Sequence, residues 1–127
     1  MAKGRILVMD DEELVRDVVS SMLEFLDFEV DMATDGTEAI EKFSQAKQAG
    51  TGYDAVIMDL TIPGGMGGKE AIEELLRIDR NIQAIVSSGY SNDPVMSDYA
   101  EYGFSGVVKK PFKLEELRDV LESVLRK

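Results

Sequence analysis

Five short apolar runs, each followed by a stretch of helical periodicity, constrain this chain more than any other feature. The runs cover about Arg5 to Met9, Glu29 to Ala33, Ala55 to Asp59, Ala84 to Ser87 and Gly106 to Lys109. Each has the length and apolar density of a short buried strand. Between them, apolar residues recur at the three- and four-residue spacing of a helix face. The first helix carries Leu14, Val15, Val18, Val19, Met22, Leu23 and Leu26. The second carries Ala39, Ile40, Phe43 and Ala46, with Thr34 or Asp35 as its cap and Gly50-Thr51-Gly52 at its end. A glycine-rich loop, Pro63 to Gly68, precedes a third with Ala71, Ile72, Leu75 and Leu76. A polar loop from Gly89 to Asp93 leads to a short fourth helix beginning near Pro94, a residue tolerated in a first turn. Pro111 ends the last strand, and the final helix places Leu114, Leu117, Leu121 and Val124 on one face. Strands that alternate with helices in this way predict an α/β fold, a parallel sheet with helices on both faces.

The 127 residues fit one domain, expected to span 1–127, with no internal repeat or interdomain linker. An apolar content of 44% is enough for a real core. The net charge of −11 argues against a nucleic-acid-binding surface, which needs clustered Lys and Arg. The chain contains no Cys, so disulfides, thiol nucleophiles and zinc–thiolate sites are excluded. It contains no His either, which excludes Ser-His-Asp and Cys-His catalysis. No segment approaches the roughly 20 apolar residues of a membrane span. The N-terminus has no signal-peptide pattern, so a cytoplasmic protein without membrane attachment is expected.

The ends of two apolar runs carry acids. Ile6-Leu7-Val8-Met9 runs into Asp10-Asp11, and Ala55-Val56-Ile57-Met58 into Asp59. In an open parallel sheet, ligands bind in the crevice outside the carboxyl ends of the strands. If those strands are neighbours, three carboxylates converge, and like charges raise one another's pKa unless something positive fills the site. Oxygen-only ligands favour a hard cation, magnesium or calcium. Blander roles exist for each residue: Asp10 or Asp11 as a cap on the first helix, Asp59 as a strand-ending turn residue, Ser88 as a loop hydroxyl, Lys110 as a snorkelling lysine. The glycines after Pro63 lack the spacing and the Lys-Ser/Thr ending of a phosphate-cradling loop.

Asp10-Asp11 after the first strand, Asp59 after the third, Ser88-Gly89 after the fourth and Lys110-Pro111 after the fifth stand in order along essentially the whole chain. This pattern resembles the receiver domain of two-component response regulators. The resemblance implies a single-domain, doubly wound (βα)5 flavodoxin-like sandwich with strand order 2-1-3-4-5. It implies Asp59 as the acceptor of a phosphoryl group from a histidine kinase or phosphotransfer protein. Asp10, Asp11, Asp59 and the backbone carbonyl of Thr61 would hold Mg2+, while the Ser88 hydroxyl and Lys110 contact the phosphoryl group. Spacing cannot choose between Ser87 with Lys109 and Ser88 with Lys110, because the two pairs are equally far apart. The family places its lysine directly before a proline, often with a cis bond, and a small residue after its Ser/Thr, which selects Lys110 and Ser88.

The chemistry is consistent with those roles. A carboxylate attacks a dianionic phosphoryl group poorly because the charges repel, and a cation plus a lysine reduces that repulsion. Two departures stand out. Many relatives carry an aromatic residue three positions before the lysine, where this chain has Val107, so any aromatic readout falls to Tyr90 or Phe104. The loop after Pro63 is one residue longer than the commonest form and resembles receivers attached to hybrid sensor kinases. The expected function is a phosphorylation-activated switch, not a substrate-turnover enzyme. It would alter the surface of its fourth helix, fifth strand and fifth helix, as a monomer or phosphorylation-dependent dimer. The alternatives are a non-phosphorylated receiver-like interaction module and a magnesium-dependent phosphatase, the latter lacking length for an enclosing cap.

Overall fold

In the computed structural model, which describes residues 3–89 and 93–125, the five runs form five parallel strands. They are β1 (Arg5–Met9), β2 (Glu29–Ala33), β3 (Ala55–Asp59), β4 (Ala84–Ser88) and β5 (Gly106–Lys109). β4 runs one residue beyond its predicted end, because Ser88 stays paired with Lys109 in the β4–β5 ladder. The sheet order is β2-β1-β3-β4-β5, with every adjacent pair parallel. The helices are α1 (Glu13–Phe25), α2 (Gly36–Gln48), α3 (Gly68–Ile78), α4 (Pro94–Ser97) and α5 (Leu114–Leu125), with a 3-10 turn at Tyr99–Tyr102.

The period of two along a strand divides the core into two layers. Leu7, Met9, Val56, Met58, Ala84 and Val86 face Ala39 and Phe43 of α2 and Ala71, Ile72 and Leu75 of α3. The alternate residues Ile6, Val8, Ala55, Ile57 and Ile85 face Val19 and Leu23 of α1 and Leu117, Leu121 and Val124 of α5. β3 is buried at all five positions, as expected of a central strand covered on both faces. Of the two candidates to cap α2, Asp35 is the cap: its Oδ1 accepts the Glu38 N–H at 2.9 Å. Thr34 is used differently, donating its N–H and hydroxyl to the Glu38 carboxylate.

The apolar residues of α1 do not form one face. Val19 and Leu23 are fully buried, and Val15, Met22 and Leu26 are partly buried against the same core. Leu14, Val18 and Phe25 are 75%, 43% and 76% exposed. At about 100° per residue they lie roughly 100–140° around the helix from Val19, too far to reach the sheet. They form a second, solvent-facing apolar stripe.

The two stripes have different energetic weight. Leu23→Ala is expected to lower unfolding stability by about 2–5 kcal/mol, and Leu14→Ala to change it by no more than about 0.5 kcal/mol. Urea titration of both variants checks this, and comparable losses would contradict the assigned helix phase.

Candidate functional site

Because all strands run the same way, their carboxyl ends share one edge of the sheet. β1 and β3 are adjacent, with Met9 opposite Met58, so the residues that follow, Asp10 and Asp59, are brought side by side. Asp59 pairs with Ser87 across the β3–β4 ladder. Lys110, one residue past β5, donates its backbone N–H to the Ser88 carbonyl at 3.1 Å. The Lys110–Pro111 peptide is cis. A cleft of about 610 Å³ opens at this edge, lined by Asp11, Glu12, Asp59, Thr61, Pro63, Ser88, Gly89 and Lys110.

The structure separates the adjacent serines and lysines. Ser87 is buried, and its hydroxyl donates to the Met58 carbonyl at 3.4 Å. Ser88 faces the cleft instead. Lys109 is exposed, whereas the Lys110 ammonium lies 2.6 Å from Asp10 Oδ2 and 3.3 Å from Asp59 Oδ1. Lys110 therefore bridges the two carboxylates and pairs more closely with Asp10.

The first two acids occupy different environments. Asp10 is 2% exposed and sits behind the cleft. Its N–H donates to the Ala33 carbonyl at 3.0 Å, and its Oδ1 accepts the Glu12 N–H at 2.9 Å. It closes a tight turn before α1, since the residue at the helix N-cap is Glu12, which makes no side-chain cap. Asp11 is exposed, and among the described residues its carboxylate makes no hydrogen bond or ion pair.

Burial is the main electrostatic term on Asp59, pushing its carboxyl from 3.8 up to about 6. Lys110 opposes that shift, while Asp10 and Asp11 add to it. For Lys110, burial acts to lower the pKa, but the carboxylates of Asp10 and Asp59 outweigh it and hold the ammonium above its usual range.

The donors suit a hard cation. Asp10, Asp11 and Glu12 each offer a carboxylate oxygen, all within 4.8 Å of one another, and Asp59 and Thr61 face the same cleft. An all-oxygen set on an open strand edge, with room for water, fits Mg2+.

Glu12 was not anticipated from the sequence. It extends the acid pair to a triplet, and its place directly after Asp11 is the signal that marks it. Arg16 was also missed: its guanidinium Nη1 donates to the Asp10 main-chain carbonyl at 2.8 Å. Of the two aromatics considered in place of Val107, Phe104 is buried in the α2–α3 core layer. Tyr90 lies outside the described residues, as does the middle of the Gly89–Asp93 loop.

A parallel 2-1-3-4-5 sheet with an acidic cleft and a lysine at its carboxyl edge is the architecture of receiver domains. Residues 6–122 match the response regulator receiver domain family, and the chain belongs to that family. It is 31% identical over 121 residues to the chemotaxis protein CheY of Thermotoga maritima, covering 94% of this chain and 96% of that protein. It is 29% identical over 126 residues to the uncharacterized transcriptional regulatory protein YkoG of Bacillus subtilis. That match covers 99% of this chain but 53% of YkoG, so the chain spans about half of that relative. The crystal structure of response regulator protein TrrA from Thermotoga maritima, in complex with Mg2+–BeF, superposes with a TM-score of 0.81 at 31% identity, covering 98% of this chain and all of that one.

The raised Asp59 pKa has a thermodynamic consequence. The folded state holds this proton more tightly than the unfolded chain, so the contribution is fully present below pH 3.8 and is lost as pH rises through about 6. Asp59→Asn removes that loss. In metal-free buffer, the stability of the variant relative to wild type should rise by about 1–2 kcal/mol between about pH 4.5 and about pH 8. Urea midpoints across that range check it, and a relative stability that falls with pH would contradict the assignment.

Proposed function

We propose that this receiver domain is a phosphorylation-driven signalling switch with Asp59 as the phosphoacceptor. The observation that carries this is the placement of Lys110 between Asp10 and Asp59 in a cleft that Ser88 enters from the neighbouring strand end.

An Asp59 carboxylate oxygen attacks the phosphorus of a phosphohistidine on a histidine kinase or phosphotransfer protein. The P–N bond breaks, the imidazole leaves with the electron pair and takes a proton from solvent, and an acyl phosphate remains on Asp59. Mg2+, when bound, supplies charge neutralisation for the transferring oxygens. Asp11, Asp59 and the Thr61 carbonyl would hold it from the cleft, with Asp10 behind them. The Lys110 ammonium shields the attacking carboxylate and then pairs with a phosphoryl oxygen. The Ser88 hydroxyl donates to another. Drawing Ser88 and Lys110 toward new oxygens shifts the ends of β4 and β5, and with them the α4–β5–α5 surface, toward a second conformation. Val107 is partly buried on this face and carries no aromatic group, so the readout here rests on backbone and apolar repacking.

The partner is a protein rather than a small molecule. Leu14 stands 75% exposed three residues after Asp11, itself a cleft residue, and Val18 continues the stripe. An exposed apolar helix face that begins three residues after a cleft acid suits docking of another protein's helix. The net charge of −11 argues against direct nucleic-acid contact by this domain. Among the described residues, no helix is long and apolar enough to cross a membrane. The domain turns over no substrate of its own.

Incubation with acetyl phosphate and Mg2+ is expected to add a labile mass of about 80 Da, and Asp59→Asn is expected to abolish it. No gain, or a gain that survives Asp59→Asn, would refute the assignment. Lys110→Met should slow uptake by roughly 100- to 1000-fold, the usual cost of losing one charge-stabilising donor, as measured by the time course of intact mass.

A further inference from the structure

Asp11 presents a difficulty that the cleft residues alone do not resolve. Its side chain is exposed, and among the described residues no hydrogen bond or ion pair fixes it. Its direction is therefore set by the backbone that carries it, and above all by the peptide joining Asp10 to Asp11. The carbonyl of that peptide accepts the Arg16 guanidinium at 2.8 Å. Side chains on a helix tilt toward its N-terminus, so an arginine in the second turn of α1 reaches back over the β1–α1 turn. The Arg16 N–H donates to the Glu12 carbonyl at 3.0 Å, which fixes the helical phase that allows this reach.

We propose that Arg16 is a positioning residue for the metal site: its guanidinium clamps the Asp10–Asp11 peptide and so aims the Asp11 carboxylate into the cleft. Apart from the Arg16 N–H to Glu12, the remaining tethers of the turn among the described residues act on Asp10. They are its N–H to Ala33, its Oδ1 to the Glu12 N–H and its Oδ2 to Lys110. Among the described residues, only the arginine holds the peptide that leads into Asp11. The planar fork keeps its charge at all working pH values and is only half-buried, so it holds this carbonyl without leaving a buried ion unsolvated. This inference rests on the Mg2+ site of the proposed function.

The sign of the effect separates positioning from simple charge. Arg16 is a cation beside an acidic cluster, and its field adds slightly to the lowering of the Glu38 pKa that the Thr34 hydrogen bonds mainly cause. If charge were its whole contribution, neutralising it would tighten cation binding. If it aims Asp11, neutralising it weakens binding. Isothermal titration of unphosphorylated protein with Mg2+, at a temperature where every variant is folded, reads this directly. Arg16→Gln is expected to raise the Mg2+ dissociation constant about three- to tenfold, the scale of a supporting contact to a metal ligand. Arg16→Lys, which keeps the charge but not the fork, is expected to fall between the two and carries the test if Arg16→Gln does not fold. On an Asp11→Asn background the Arg16→Gln effect should vanish, because the arginine acts through Asp11. Unchanged or tighter binding by Arg16→Gln, with wild type binding Mg2+, would overturn the clamp and leave the proposed function standing. A wild-type protein that binds no Mg2+ at all would overturn both.

Discussion

One ammonium group holds the functional edge of this molecule together. A parallel sheet delivers every strand's carboxyl end to the same side, so acids that end neighbouring strands must meet there. Asp10 and Asp59, both largely buried, would repel each other without a counter-charge. Lys110 arrives from the far side of β4 and contacts both, at 2.6 and 3.3 Å. The raised pKa of Asp59 shows that this compensation is incomplete, since burial outweighs the lysine. With Asp10, Asp11, Glu12 and Asp59 around one ammonium, the cleft carries more acids than bases, which suits a divalent cation.

Under the proposed function, that arrangement explains why the site needs no histidine or cysteine of its own. Phosphoryl transfer depends more on charge neutralisation and alignment than on a general base. The cleft provides both from strand ends whose positions are fixed by ladder hydrogen bonds: Asp59 opposite Ser87, and Ser88 opposite Lys109. Under the proposed function, phosphorylation would redistribute Lys110 from the Asp10–Asp59 pair toward new oxygens, and the change would be transmitted because the lysine sits directly at the end of β5.

Much of this was legible in the sequence, for physical reasons. The strand limits were mostly clear because each apolar run stops at a polar residue, with β4 running one residue further than expected, and five such runs separated by helical patterns leave few alternatives to a parallel sheet. The meeting of Asp10-Asp11 with Asp59 followed once β1 and β3 were placed side by side. Helix α1 was harder. Apolar spacing identified the helix, but Leu14 and Val18 share that spacing while pointing away from the sheet, because an amphipathic pattern does not say which of two apolar stripes is covered. Glu12 and Arg16 were hidden for another reason. An acid and an arginine near a helix start are ordinary surface residues, and only the turn geometry shows one lining the cleft and the other holding the Asp10 carbonyl. The closer pairing of Lys110 with Asp10 than with Asp59 likewise depends on side-chain reach.

The account stands on Asp59 being the residue that is chemically modified, with Asp10 and Asp11 acting only through charge and metal. Borohydride reduction of the acetyl phosphate-treated protein, followed by peptide mass mapping, locates an acyl phosphate by converting the modified aspartate to homoserine. Homoserine at position 59, with Asp10 and Asp11 unchanged, is the predicted result. Homoserine at position 10 or 11, or at none of the three, would contradict the account.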